Sequence, residues 1–307
     1  MHEHRTTGWA YAAVATTIGM WGYSAVAIKA VSPDGIVVAF YRLWFAIPLL
    51  WLSVFANPSS RQRLGRDWLL GCLGGGACFG IHQIFFFTAM KMTSVANVTI
   101  ISSLQPVLVL LVAGPLFGEY LRRVAIVWVG VALVGTGLVV LGSEGGSATT
   151  GIGNLLAFAN LIAFTGYFLI SRTVRAKVRP WEYVVGMTTV SGLFVTAAVA
   201  VAQPDLGSPT GLEYLIMFTL AVFPGTLGHV LTNWAHAHVT AFSISMMFLA
   251  VPIVSSAAAY LFLGELVTPM QLLGGLIVLA SIGATVAQAD DDVGQELAES
   301  AAETEAP

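Results

Sequence analysis

The stretches NVTIISSLQPVLVLLVAGPLFGE (97–119) and SISMMFLAVPIVSSAAAYLFLGE (243–265) indicate how this chain folds. In each stretch a proline is followed by eleven residues and then by a Gly-Glu pair. The two motifs are Pro106 with Gly118 and Glu119, and Pro252 with Gly264 and Glu265, and all three residues recur after 146 positions. A repeat at a fixed offset predicts that the chain consists of two related halves.

The composition around these motifs is that of an integral membrane protein. Of the 307 residues, 57% are hydrophobic and 9% are charged, and the mean hydropathy is +0.82. About a quarter of the residues in an ordinary soluble domain are charged, and disordered chains have low hydrophobicity. Both classes are therefore excluded for most of the chain. Cys72 and Cys78 stand in an apolar run without ligand-like neighbours, which favours neither a disulfide framework nor a metal site.

Ten stretches reach the roughly 20 apolar residues that a spanning helix needs. We number these predicted spans 1 to 10, and they cover residues 8–28, 36–56, 68–89, 94–117, 124–142, 151–171, 181–202, 212–235, 240–263 and 268–288. The sequence thus predicts an all-α polytopic membrane protein with ten transmembrane helices, built as two inverted five-helix repeats. The predicted segments are a cytoplasmic N-terminus (1–7), a first repeat (8–142), a second repeat (151–288) and an acidic, disordered cytoplasmic tail (289–307).

The distribution of lysine and arginine predicts the orientation, because these residues favour cytoplasmic loops. With the N-terminus in the cytoplasm, ten of the thirteen lie inside, Lys29 and Lys91 lie outside near span ends, and Arg42 lies within span 2. Both termini are then cytoplasmic, in a multi-pass protein of the cell membrane. Because five is an odd number, the two halves enter the membrane from opposite sides, a design that recurs in secondary transporters.

Together with the two halves of five spans, three motifs resemble the drug/metabolite transporter superfamily, EamA type. The motifs are WGYSAVAIK in span 1, YR in span 2 and the paired Pro-x11-Gly-Glu ends of spans 4 and 9. The resemblance covers about residues 8–288. It implies a ten-helix carrier, usually an exporter of amino acids or other small metabolites, with a central cavity lined mainly by spans 1, 3, 4, 6, 8 and 9. It does not identify the solute.

Polar and aromatic side chains recur at helical spacing on five spans, which predicts that these faces share a cavity. The candidate cavity residues are Trp21, His82, Phe86, Asn97, Gln105, Asn160, Tyr167, His229 and Asn233. For each single amide, a hydrogen bond between helices is the alternative to contact with a solute.

Five residues within the spans are candidates for charge, proton coupling or motion. His82 and His229 either carry a coupling proton or act as neutral partners in helix–helix hydrogen bonds. Arg42 either snorkels to the outer interface or pairs with a substrate carboxylate or a pore group. Pro106 and Pro252 lie near mid-span, where a proline produces either a hinge at the cavity or a static kink.

These features favour secondary transport of a small-molecule solute across the lipid bilayer by alternating access, and the resemblance favours export. The competing class is a polytopic membrane enzyme acting on a lipid-linked substrate, but the short loops carry no paired-acid, HExxH or GxSxG pattern. A Walker-type ATP-binding motif is absent from the sequence as well. We therefore expect no catalytic residues, no cofactor, no metal and no nucleic-acid partner. Because no Asp or Glu lies mid-span, the sequence leaves proton coupling, facilitation and exchange open.

Overall fold

The computed structural model describes residues 2–61, 64–93, 95–118, 123–141, 151–263 and 266–285. Within these ranges all regular structure is helical, which confirms the all-α prediction. The helices are α1 (His2–Ala30), α2 (Gly35–Ala56), α3 (Pro58–Arg61), α4 (Arg66–Met92), α5 (Val95–Ser102), α6 (Gln105–Phe117), α7 (Arg123–Leu141), α8 (Gly151–Val174), α9 (Pro180–Ala202), α10 (Gly211–Val222), α11 (Gly228–Ala235), α12 (Ala241–Met247), α13 (Val251–Leu263) and α14 (Pro269–Thr285). A π-helical segment (Phe223–Leu227) joins α10 to α11, and a 3₁₀ turn (Phe248–Ala250) joins α12 to α13.

Several features predicted from the sequence lie outside the described residues. They are Glu119, the Gly264-Glu265 pair, the 142–150 loop, the acidic tail and the side chain of Asn97.

Eight helical stretches among the described residues are long and apolar enough to cross a membrane. They correspond to the predicted spans except for spans 4 and 10. Span 10 is represented by α14, of which the structure describes Pro269–Thr285. Span 4 was expected as one helix over residues 94–117 and is instead divided between α5 and α6.

The two prolines of the repeated motif follow interruptions at corresponding places. Pro106 follows the turn at Ser103–Leu104, and Pro252 follows the 3₁₀ turn. A proline has no N–H to donate to the carbonyl four residues earlier, and its ring clashes with that carbonyl. The sequence predicted a kink at each proline, and the structure shows a break in the α-helix just before each one.

The helices approach one another closely where glycines face a neighbouring helix. A Cβ on Gly76 would lie 2.8 Å from the carbonyl oxygen of Met187, and one on Gly80 would lie 3.2 Å from Cα of Ser191. These positions on α4 therefore contact the backbone of α9. Small residues allow such contacts in membranes, where helix association lacks a hydrophobic driving force.

At one end of the molecule, which we call the Arg172 end, the residues around the connections after α2, α8 and α11 contact one another. The Arg172 guanidinium donates to the carbonyl of His236, and the indole Nε1 of Trp68 donates to the carbonyl of Glu182 at 2.7 Å. These bonds connect segments of the chain that are far apart in sequence.

At the opposite end, which we call the Lys29 end, the residues around the connections after α1, α4 and α9 contact one another. Lys29 Nζ donates to the carbonyl of Thr93 at 3.2 Å, and the backbone N–H of Ser32 donates to the Glu213 carboxylate at 2.6 Å. Successive long helices thus run alternately between the two ends.

Candidate functional site

A cavity of ≈ 150 Å³ lies among helices of both halves. This is the size of cavity that holds a benzene-sized ligand. Its polar lining residues are Ser24, Arg42, His82, Gln83, Thr99, Ser102, Ser103, Gln105, Asn160, His229, Ser245 and Ser255. Its aromatic lining residues are Trp21, Phe86, Phe87, Phe164 and Phe248. A cavity with apolar walls and a few converging polar groups is the usual form of a small-molecule site.

The structure brings most of the candidate residues together around this cavity. Those at the cavity wall are Trp21, His82, Phe86, Gln105, Asn160 and His229, together with Arg42 and both prolines of the repeated motif. Tyr167 and Asn233 do not line the cavity but lie behind His229. The Tyr167 hydroxyl bonds to the His229 ring, and Asn233 donates to the same hydroxyl. Whether any of these residues binds a solute stays a prediction.

Arg42 turns inward from α2 instead of reaching an interface. Its side chain is buried, its Nε donates to the carbonyl of Leu220 at 3.2 Å, and its Nη1 donates to the amide oxygen of Gln83. Its guanidinium carbon lies 5.4 Å from the centre of the Phe87 ring. Of the two alternatives for Arg42, the structure therefore favours the inward one.

The bond to Leu220 exists because α10 ends in an irregular segment. Pro224 has no N–H to donate to the Leu220 carbonyl, and this carbonyl accepts a hydrogen bond from the Arg42 guanidinium. Within the π-helical segment, the Pro224 carbonyl in turn accepts from the indole Nε1 of Trp21 at 3.2 Å. Side chains from α1 and α2 thus satisfy carbonyls that a regular helix would bond internally.

Both candidate histidines hold hydrogen bonds to neutral groups. His82 Nδ1 lies 2.5 Å from the amide oxygen of Asn160, and His229 Nδ1 lies 3.1 Å from the hydroxyl of Tyr167. Asn233 donates to the same hydroxyl at 3.0 Å. These bonds connect α4 to α8 and α8 to α11, which is the arrangement expected for neutral helix–helix partners.

Aromatic rings cover the space between these polar groups. The Trp21 ring lies 4.7 Å from Phe248, 5.7 Å from Phe164 and 5.2 Å from His229, measured between centroids. Phe164 also lies 4.8 Å from His82. Tilted and edge-on contacts at these separations are favourable for aromatic pairs, so the rings form one wall that faces the cavity.

On the side toward the Arg172 end, Phe168 packs against Phe248 of the cavity wall, with 6.0 Å between the ring centroids. The ring of Phe168 lies 4.5 Å from that of His236, a residue that is 1% exposed in the turn after α11. Burial, aided by the positive charges of Arg172 and Arg175, lowers the pKa of His236 to about 3. The imidazole is therefore neutral at physiological pH and packs as an uncharged ring.

Sequence reasoning missed Gln83, which lines the cavity and accepts a hydrogen bond from Arg42. It directly follows His82, but it does not share a helical face with His82 and Phe86. A usable signal existed, because a second polar residue in the middle of an apolar span requires a partner. Gln105, in contrast, was predicted to line the cavity. Its buried Nε2 has no hydrogen-bond partner among the described residues.

Comparison with known proteins agrees with this architecture. A similar protein is an uncharacterized transporter of Archaeoglobus fulgidus, 24% identical over 284 residues, covering 88% of this chain and 94% of the relative. Another is the aromatic amino acid exporter YddG of Ancylobacter novellus, 27% identical over 226 residues, covering 71% and 76%. A third is a probable terminal-alkyne amino-acid exporter of Streptantibioticus cattleyicolor, 22% identical over 275 residues, covering 88% and 91%.

A solved crystal structure and a family model extend the comparison. The crystal structure matches with a TM-score of 0.77 at 19% identity, over 92% of this chain and 98% of the other, and shows the shared fold. The model of the EamA-like transporter family matches residues 8–141 and, a second time, residues 151–287. The chain is thus a multi-pass membrane protein and a member of the EamA-like transporter family.

Proposed function

We propose that this protein is a secondary carrier of the cell membrane that exports amino acids or related small metabolites by alternating access around the central cavity. The observation that carries the proposal is the cavity itself, which is lined by polar and aromatic groups from both halves. In inverted-repeat transporters, substrate sites lie near the bilayer midplane at the interface of the repeats, next to interrupted helices. Both interrupted helices meet the cavity here, at Pro106 and Pro252.

The proposal includes ten crossings arranged as two inverted repeats of five. In support, α4 packs against α8 and α9, while α10 and α11 pack against α2 and α1. Likewise α5 contacts α8, and α13 contacts α1. A two-fold axis in the membrane plane that exchanges the halves would produce this exchange of contacts. The second match of the family model to residues 151–287 supports the same arrangement.

In the proposed orientation, the Arg172 end is cytoplasmic and the Lys29 end is external. The support is that loops predicted to lie on the same side of the membrane also contact one another, as Lys29 contacts Thr93 and Arg172 contacts the His236 carbonyl. Because Phe168 packs against both Phe248 of the cavity wall and His236 at the Arg172 end, we propose that this conformation is closed toward the cytoplasm.

The proposed solute class rests on the cavity and on the names of two relatives, which are an aromatic amino acid exporter and a probable terminal-alkyne amino-acid exporter. A free amino acid joins a small polar end to a side chain that is often apolar. The polar groups would orient the first and the aromatic wall would cover the second.

Counterflow in proteoliposomes tests the proposal directly. Vesicles loaded with one unlabelled L-amino acid at a time should accumulate the same labelled amino acid for at least one member of the panel, above protein-free vesicles. Asn160→Ala should reduce this exchange by about tenfold, since it removes a polar group at the cavity and the partner of His82. Asn57→Ala, at an exposed position after α2, is the matched control. Exchange with no amino acid of the panel would contradict the proposal.

The same vesicles distinguish proton coupling from facilitation or exchange. Counterflow occurs under any of these mechanisms, whereas uphill accumulation on imposing a pH gradient requires proton coupling. If accumulation occurs, the His82→Gln, His229→Gln double variant should lose it, as compared with the counterflow that the same variant retains. Full accumulation in the double variant would exclude both histidines as proton carriers.

A further inference from the structure

Arg42 is a buried cation without a counter-ion. Among the described residues that line the cavity, it carries the only permanent charge, and no aspartate or glutamate lies at the wall. The side chain is 5% exposed. Burying a charge is unfavourable unless the charge is paired, and removing one partner of a buried pair is strongly destabilising.

The groups around Arg42 hold its guanidinium in place but leave its charge uncompensated. Among the described residues, the guanidinium donates to the Leu220 carbonyl and to the Gln83 amide oxygen, and it lies over the Phe87 ring. All three groups are neutral. A guanidinium has five N–H donors, and two of them are used in these bonds. The other three have no hydrogen-bond partner among the described residues.

From this arrangement we infer that Arg42 is the anion subsite of the transporter and binds the carboxylate of the solute. Gln83 is a positioning residue, which orients the guanidinium without neutralising it. The wall formed by Trp21, Phe164 and Phe248 covers the apolar part of the same solute. The inference deepens the proposed function and rests on it, since it assigns the solute's carboxylate to one residue of the proposed cavity.

The chemistry of the two groups is complementary. A carboxylate accepts two parallel N–H bonds from a guanidinium, and charge-assisted bonds of this kind are among the strongest available to a protein. The bound solute would supply the missing negative charge in a setting with little water. For the same reason the site disfavours amines that lack a carboxylate, because two positive charges would then share one cavity.

The first test needs only the unmodified protein. For each exchanged L-amino acid, counterflow of the labelled acid is measured with the unlabelled acid, its carboxamide or its decarboxylated amine as competitor. Both analogues keep the side chain and lose the negative charge. We expect the acid to compete about 10- to 100-fold better than the amide, as for loss of hydrogen bonds to a charged group. Equal competition by the amide or the amine would overturn the inference and leave the carrier proposal standing. Exchange of no amino acid would contradict both.

The second test uses Gln83→Glu, which keeps the shape of the side chain and places a carboxylate on Arg42. If Arg42 binds the solute anion, the internal carboxylate should compete with it and weaken exchange of acids about tenfold or more. If Arg42 serves packing alone, the new ion pair should affect exchange of the acid and of its amide equally. The matched control is Gln203→Glu, the same change at an exposed position after α9.

Arg42→Gln completes the comparison. It should lose the preference for acid over amide, so that the two compete equally, provided that its melting temperature in detergent shows a folded protein. A folded Arg42→Gln or Gln83→Glu variant that keeps the full acid preference would overturn the inference. If Arg42→Gln does not fold, the Gln83→Glu variant and the acid–amide comparison still decide the question.

Discussion

Gly225 is the residue that gives Arg42 room to lie against the π-helical segment. A Cβ at this position would lie 2.9 Å from both Nε and Nη2 of Arg42, and 2.7 Å from the carbonyl oxygen of Leu220. Real Cβ atoms tolerate such distances only if the neighbouring groups move. A single methyl group at residue 225 would therefore displace the guanidinium without changing any polar group.

Gly225→Ala should accordingly weaken the acid preference in counterflow by about tenfold, because the guanidinium loses its fixed position. The crowding should also lower stability by about 1–3 kcal/mol, measured as a lower melting temperature in detergent. Gly19→Ala, also within a membrane-spanning helix, is the matched control because a Cβ there meets nothing within 4 Å. An unchanged acid preference in Gly225→Ala would show that the position of Arg42 does not set specificity.

At the scale of the elements, the two broken helices are the most distinctive feature. Each break precedes a proline that lines the cavity, and each joins a short helix to a longer one. The hydrogen-bond ladder is interrupted there, and hinges are typically a few loop or element-terminal residues that absorb a change in backbone angles. We expect Pro106 and Pro252 to act as hinges during alternating access.

Replacing these prolines tests the hinge. Pro106→Ala and Pro252→Ala restore the N–H that a continuous helix needs, so each should slow counterflow by about tenfold. This corresponds to about 1.4 kcal/mol, less than the roughly 3 kcal/mol that a proline costs inside a helix. The apparent affinity for the solute should change little. Pro115→Ala, at an exposed proline inside α6, is the matched control. Unchanged exchange rates in both variants would identify the breaks as static.

At the scale of the whole molecule, the alternating direction of the helices predicts which loops face the cytoplasm and which face the outside. Ala176 lies exposed at the Arg172 end, in the turn after α8, and Ser208 lies exposed at the Lys29 end, in the loop before α10. In the proposed orientation the first faces the cytoplasm and the second faces the outside.

Single cysteines at these two positions test the orientation, in a background where Cys72 and Cys78 are replaced by alanine. An impermeant maleimide applied to intact cells should modify Ser208→Cys and leave Ala176→Cys unmodified. Both should react after the membrane is permeabilised, which controls for accessibility. The reverse pattern in intact cells would place the Lys29 end in the cytoplasm.

The sequence by itself determined the features that follow from solvent and period. Apolar stretches of about 20 residues predicted helices because, in the bilayer core, a helix satisfies all its backbone hydrogen bonds within one segment. The offset between the two proline motifs predicted where both helices are disturbed, and polar residues such as His82, Asn160 and His229 were predicted to face inward. These predictions needed only local composition and helical spacing.

The tertiary structure alone decided the features that depend on which groups meet. The sequence left Arg42 between an interface and the interior, because its depth permits both. The structure holds it inside, where it donates to the carbonyl of Leu220 and to the amide oxygen of Gln83. Tyr167 and Asn233 share the helical faces of cavity residues, yet they lie behind His229, where Tyr167 bonds to the His229 ring and Asn233 donates to the Tyr167 hydroxyl. Spacing specifies the face of a helix, whereas depth and partner depend on the packing of helices that are distant in the chain.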